Sequence, residues 1–389
     1  MRFQPTDRIR ALPPYVFVEL DRRKRALVDA GHDVIELGIG DPERPTYGFI
    51  VDRLKQAAEQ PANHRYTLLH GCPGFRRQAA EFFEQRYGVT LDPESEMLTL
   101  IGSKEGLGHL PLAVANPGQG VLIPNPGYPP YRATAIFAGA VPHDLPLSEE
   151  RGWLPDLDAL PTDVARNAVL MYLNYPNNPT GACASAEFFE RALAFARKHE
   201  IVLAHDAAYN EMYFGDERPP SILQIPEARE IAIEFHSTSK TFNMTGWRIA
   251  FAAGNRDVLA ALGKIKSNLD SGQFAAVQEA GIAAYAGFDR PELRESRKMY
   301  HERAKLLAAG LRQAGFRVAE PRATFYVWAG VPDGYDSATA ANRLLEEAHV
   351  VGVPGHGFGT MGEGHIRFAT TVDLERTRTA LTRIKGLKW

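Results

Sequence analysis

Residues 168–206 read AVLMYLNYPNNPTGACASAEFFERALAFARKHEIVLAHD, and the fold turns on this stretch. Ala168–Leu173 is an unbroken apolar run without polar alternation, and Ile201–Ala204 is another. Between them, Ser185–His199 places apolar residues at 188, 189, 192, 193 and 196 behind a Ser-x-Glu start. That is the spacing of an amphipathic helix. Short apolar strands separated by helices form a parallel sheet buried on both faces.

Working outward, runs of the same kind recur at Met97–Ile101, Val121–Pro124, Ile231–Phe235 and Ile249–Ala253. The expected fold class is therefore α/β, with a large α/β/α domain around a mostly parallel sheet. After about residue 280 the texture changes. Arg290–Ala314 reads as a long charged amphipathic helix, Arg317–Ala319 and Phe325–Ala329 as strands, and Ala338–His349 as a further helix. These predict a smaller α+β domain. The first forty residues are too short to fold alone and are expected to pack on it. The expected division is 41–285 for the large domain, with 1–40 and 286–389 forming the small one.

Composition bounds the function classes. The chain has 389 residues, 44 Lys plus Arg and 47 Asp plus Glu, for a formal charge of -3. So small a charge gives no field for gathering nucleic acid or an anionic membrane. No segment has the apolar length of a membrane span, and Arg2, Asp7, Arg8, Arg10 and Glu19 interrupt any secretory apolar region. Two cysteines, Cys72 and Cys183, exclude a disulfide scaffold or a Cys-rich zinc site and suit the cytoplasm.

In a parallel α/β sheet, ligands bind beyond the carboxyl ends of the strands. Five strand ends carry suitable residues: Gly102 to Gly106, Asn125 to Tyr128, Asn174 to Gly181, Asp206 to Tyr209, and Ser237 to Arg248. Lys240 follows the buried run Ile231–Phe235, so it is expected at the rim of the interior, where desolvation favours a neutral amine able to form a Schiff base. The alternative is a solvated loop lysine. Ser237, Ser239 and Arg248 beside it suit a phosphate, as does the helix start at Ser103-Lys104.

Asp206 at the end of its strand needs a cationic partner, such as the protonated pyridine nitrogen of pyridoxal phosphate (PLP), or else caps the next helix. Tyr209 points at the same ring or packs. Tyr128, held between Gly127 and Pro129-Pro130, is placed to stack on a planar ligand, and Asn178 lies in a turn with its amide free to donate. Arg367, between Ile366 and Phe368, faces the other way by strand alternation. It presents a fork for a carboxylate, or it is an edge-strand arginine facing water.

The ordered set Asn178-Pro179-Thr180-Gly181, Asp206-x-x-Tyr209 and Ser237-x-Ser239-Lys240 with Arg248 resembles the fold type I PLP-dependent aminotransferases of classes I and II. The resemblance runs from Gly38-Ile39-Gly40-Asp41-Pro42 to Arg367. It implies that Lys240 holds PLP covalently and later shuttles a proton, that Asp206 pairs with the pyridine nitrogen, and that Tyr209 and Asn178 bond the ring's phenolic oxygen. Tyr128 would stack on the ring, while Ser103, Lys104, Ser237, Ser239 and Arg248 would hold the phosphate. Arg367 and the Gly40 backbone would take the α-carboxylate of an amino acid, with a 2-oxo acid as the other substrate. Tyr66 matches a tyrosine that enters the phosphate site from a neighbouring subunit, so the resemblance implies a homodimer.

Within the family, residues 240–248, Leu269 to Phe274 and the start Leu12 to Tyr15 with Asp21-Arg22 are most similar to the enzymes acting on LL-2,6-diaminopimelate in lysine biosynthesis. There Tyr15 would contact the substrate. Relatives acting on aspartate, alanine or aromatic amino acids share most of these words, and a PLP-dependent β-elimination lyase uses the same groups. Leu68 to Cys72 departs from the expected form, leaving His70 and Cys72 to line the site or pack. A nicotinamide dehydrogenase is set aside because Gly38-Ile39-Gly40 lacks a third glycine. A PLP-binding regulator is disfavoured because about forty residues without a basic helix pair precede Gly38.

Overall fold

The computed structural model describes residues 3–13, 16–67 and 70–389. In chain order the strands are β1 Ile35–Glu36, β2 Met97–Leu100, β3 Gly120–Asn125, β4 Val141–Pro146, β5 Ala168–Asn174, β6 Val202–Asp206 and β7 Ala232–Ser237. They continue with β8 Ala250–Gly254, β9 Arg317–Val318, β10 Tyr326–Gly330, β11 Val350–Val351, β12 Val353–Pro354 and β13 His365–Ala369.

The central sheet has the order β2-β8-β7-β6-β5-β3-β4. Its unbroken apolar strands are explained by their alternation. In β5, Leu170 and Tyr172 enter one core while Met171 and Leu173 enter the core on the opposite face. Each large apolar side chain buried this way contributes about 1.5–3 kcal/mol relative to exposure. The helix Ala186–Lys198 covers one face with Phe188, Phe189, Ala192, Leu193 and Ala196, and the Ser185 side chain caps it by accepting the Phe188 N–H.

Two features differ from the sequence reading. The run at 249–253 joins the sheet as β8 but runs antiparallel to both its neighbours, β2 and β7. The connection from β7 holds a four-residue helix, Thr238–Thr241, and a short 3-10 turn, with no crossover helix to bring the chain back parallel. The edge strand β4 was not legible, because Val141–Pro146 is mostly solvent-facing and interrupted by polar residues and prolines.

A second sheet, β12-β13-β10-β9, is antiparallel, and β1 pairs in parallel with β11. The helices Pro291–Gln313 and Leu374–Gly386 pack together beside it. Its core gathers Ile35 and Leu37 from near the start of the chain with Leu307, Val327, Ile366 and Leu381. Strand β13 lies between β10 and β12, so Arg367 is on an inner strand and 3% exposed, and the water-facing alternative does not hold.

Candidate active site

The parallel strands deliver their carboxyl ends to one side of the large sheet. Because β8 is antiparallel, its amino end, preceded by Arg248, lies on that side as well. Loops from β2, β3, β5, β6 and β7 meet there with Gly40, Tyr326 and Arg367 around a cavity of about 400 Å³.

One end of the cavity is built for an anion. The helix Ser103–Val114 begins there, with Ser103 and Lys104 on the lining, opposite Ser237, Ser239 and Arg248. The leading N–H groups of a helix lack intrahelical partners and favour negative charge; here the Glu105 N–H is taken by the Gly102 carbonyl at 3.2 Å. Gly102, at φ +75°, lets Arg248 approach; a Cβ there would lie 2.2 Å from a guanidinium nitrogen. Arg248 donates to the Thr245 carbonyl at 2.7 Å, and the Gln273 amide donates to the carbonyls of Trp247 and Arg248.

Asp206 is 5% exposed and accepts hydrogen bonds from Tyr131 Oη at 2.7 Å and the Ala208 N–H at 3.2 Å. Burial, opposed by the Tyr131 bond, pushes its carboxyl above the ordinary carboxylate range. No cationic side chain forms a salt bridge with it among the described residues. Asn174 donates to the Asp206 carbonyl at 2.8 Å and accepts the Asn178 N–H at 2.8 Å, tying two strand ends together.

Lys240 directs Nζ to the Gly40 carbonyl at 2.7 Å. Burial depresses its amine below the ordinary lysine value, with Arg367 and Arg248 adding repulsion. Tyr209 Oη donates to Tyr326 Oη at 3.1 Å, and burial holds the Tyr209 phenol well above its usual range. Arg367 donates to Asn178 Oδ1 at 2.8 Å and to the Gly38 carbonyl at 2.7 Å, with its guanidinium 4.1 Å from the Tyr326 ring centroid. Tyr128 lines the same cavity.

The arrangement pairs a depressed lysine amine with a buried carboxylate, an anion cradle and a buried guanidinium fork. It resembles a site for a phosphorylated, nitrogen-containing cofactor and a carboxylate substrate. The family described as aminotransferase class I and II matches residues 32–384. The chain belongs to the class I and II aminotransferases.

A protein of Syntrophobacter fumaroxidans named LL-diaminopimelate aminotransferase is 52% identical to this aminotransferase over 389 residues, covering 100% of each chain. Apo-BacF from Bacillus subtilis is similar in structure, with TM-score 0.96 and 39% identity, covering 100% of this chain and 99% of that one. A double mutant of Thermus thermophilus aspartate aminotransferase has TM-score 0.92 and 29% identity, covering 99% and 100%. The fold is that of aspartate aminotransferase.

Of the residues singled out in the sequence, the aminotransferase brings Gly40, Ser103, Lys104, Tyr128, Asn178, Asp206, Tyr209, Ser237, Ser239, Lys240, Arg248 and Arg367 onto one cavity. Tyr66 lies outside it and is 89% exposed. Tyr15 lies outside the described residues. His70 and Cys72 do not line the cavity; the Cys72 N–H donates to Gln278 Oε1. Sequence reading missed Tyr131 and Tyr326. Tyr131 carried a signal, lying one helical turn beyond Tyr128 on the stiff Pro129-Pro130 turn. Tyr326 carried none, since its partners come from distant segments.

Proposed function

We propose that this aminotransferase uses PLP and transfers the amino group of LL-2,6-diaminopimelate to 2-oxoglutarate in lysine biosynthesis. The observation that carries the cofactor reading is the buried Asp206 carboxylate facing the same cavity as the depressed Lys240 amine and the Ser103–Arg248 anion cradle. These donors fit the group at each end. Asp206 would meet a pyridine N–H, Asn178 and Tyr209 a phenolic oxygen, and Tyr128 the ring face. Ser103, Lys104, Ser237, Ser239 and Arg248 would hold the phosphate. Bound there, PLP supplies an electrophilic carbonyl carbon and a protonated ring that accepts the electron pair left at Cα.

The protein's own groups account for the rest. Arg367 presents a rigid fork to the substrate α-carboxylate, beside the Gly40 backbone. Asn178 and the Gly38 carbonyl hold that fork in place. The Lys240 amine, whose proton affinity burial lowers, would take the Cα proton as general base. Tyr66, exposed on its own chain, would complete the phosphate site of a second subunit, making the unit a homodimer. The exposed Leu269 and Phe274 support such a face, and the Thr67 hydroxyl links the Tyr66 loop to it by donating to the Gln273 carbonyl. A cytoplasmic location suits the two free cysteines. The separate core around Ile35, Leu307 and Ile366 supports the division into 41–285 and 1–40 with 286–389.

The diaminopimelate reading draws on relatives of that name at 45–52% identity. A screen of amino donors with 2-oxoglutarate tests it: diaminopimelate should show the highest kcat/KM. A higher value for aspartate, alanine or an aromatic amino acid would overturn the substrate, and ammonia release without an acceptor would overturn transamination. Lys240→Ala should abolish the visible absorbance of bound cofactor and the turnover. Retention of both would overturn the role of Lys240.

A further inference from the structure

The face of the sheet opposite Asp206 carries a charged group that the roles above do not use. Glu234, in β7, is 0% exposed, and so is His205 in β6. His205 Nδ1 lies 2.9 Å from Glu234 Oε2, and His205 Nε2 lies 2.9 Å from the Tyr175 carbonyl oxygen. A carboxylate and a carbonyl only accept, so both ring nitrogens of His205 must donate. Glu234 also accepts the Ile222 N–H at 2.9 Å and His236 Nε2 at 2.5 Å. Burial opposes its charge, but the hydrogen bonds from His205 and His236 outweigh that and hold its carboxyl well below the ordinary range.

These contacts join three adjacent parallel strands close to the cavity. Tyr175 follows β5 and leads to Asn178. His205 precedes Asp206, and strand alternation sends the two side chains to opposite faces. The His205 ring packs against Phe189, centroids 4.8 Å apart, while the Asp206 carboxylate meets Tyr131. Glu234 lies on the strand that ends at Ser237 and leads to Lys240. A buried ion pair is weak evidence for stability, because desolvation offsets its attraction. Its best-attested use is to fix one arrangement among alternatives.

We propose that His205, held as an imidazolium between Glu234 and the Tyr175 carbonyl, is a positioning residue that locks the ends of β5, β6 and β7 together and so sets where Asn178, Asp206 and Lys240 meet. The consequence for turnover rests on the PLP reading; the protonation does not.

Nitrogen NMR of the full-length protein labelled at histidine, with and without PLP, tests the protonation. The signals lost in His205→Gln should show two protonated ring nitrogens at neutral pH in both samples, and one bare nitrogen would overturn the proposal. Glu234→Gln, which removes the counter-charge, should convert that signature to a neutral ring; an unchanged imidazolium would also overturn it. This variant and the wild-type spectrum keep the test open should His205→Gln not fold, with the His205 signal then assigned as the one that responds to Glu234→Gln and persists in His236→Gln, His236 being the other imidazole on Glu234. For the positioning role, His205→Gln should weaken PLP binding and lower kcat by about tenfold or more with little change in KM, since small misplacements at a reacting centre cost up to about 100-fold. The double variant with Glu234→Gln should cost less than the sum of the two single changes. Unchanged kcat and PLP affinity, or strict additivity, would overturn the positioning role. If PLP fails to bind the wild type, the cofactor reading falls while the NMR result stands.

Discussion

Lys240 and Asp206 face the same physical problem from opposite sides: burial penalises charge on both. The Lys240 amine titrates below its ordinary 10.5. Between that lowered value and 10.5, the unfolded cofactor-free chain binds more protons than the folded one, so stability rises with pH across that window. Lys240→Met should flatten the rise in thermal unfolding, and an unchanged slope would contradict the shift. Asp206 titrates above its ordinary 3.8, so the folded chain binds the extra proton and stability falls as pH climbs through the window between the two values. Asp206→Asn should remove that fall and leave the cofactor-free melting temperature at neutral pH no lower than wild type. The same change should cut kcat/KM by on the order of 100- to 1000-fold, as loss of a preorganised electrostatic partner does. Arg367→Ala should raise KM for all amino donors roughly 10- to 100-fold, the worth of a charge-assisted contact. Lys240 and Asp206 were legible because each follows an apolar run that locates it at a strand end. Tyr131 and Tyr326 were not assigned, because the hydroxyl partner of each, Asp206 for Tyr131 and Tyr209 for Tyr326, lies on a distant segment.

At the scale of elements, the connection after β2 and the antiparallel entry of β8 build the anion cradle together. Gly102 is needed twice, for its positive φ and for the space taken by Arg248. Gly102→Ala should displace the guanidinium, cost about 1–3 kcal/mol of strain, and raise the dissociation constant for PLP, measured by titration of the cofactor-free protein. Wild-type affinity would contradict a phosphate role for Arg248. A comparable constraint holds Gly40, where a Cβ would fall 2.0 Å from Tyr326 Oη. Helix positions were legible from periodicity, as 188, 189, 192, 193 and 196 demonstrate. Strand direction was not, since an apolar run reads the same in either sense and only its connection and pairing decide. Edge strand β4 was missed for the reverse reason: with one side in water it lacks the apolar run that marked the others.

For the whole molecule, the cavity depends on the second core being docked against the first. Gly40, Tyr326 and Arg367 come from the segment after β1, from β10 and from β13, while the cradle and Asp206 come from the large sheet. The proposed homodimer extends the same dependence to a second chain. Mixing Tyr66→Ala and Lys240→Ala subunits should restore about a quarter of wild-type activity by random pairing, since half the dimers regain one intact site. Activity no higher than the two parents alone would contradict shared sites.

The sequence by itself determined the buried sheet, the covering helices and the residues at strand ends, because hydrophobic periodicity and turn chemistry are local. It also marked Lys240 among 11 lysines by that position. Only the tertiary structure decided that Arg367 is an inner-strand residue bonded to Asn178, that Tyr131 holds Asp206, and that His205 lies between Glu234 and the Tyr175 carbonyl. Each of these depends on partners from separate segments brought together by packing, and no local pattern records which distant acceptor a side chain will meet.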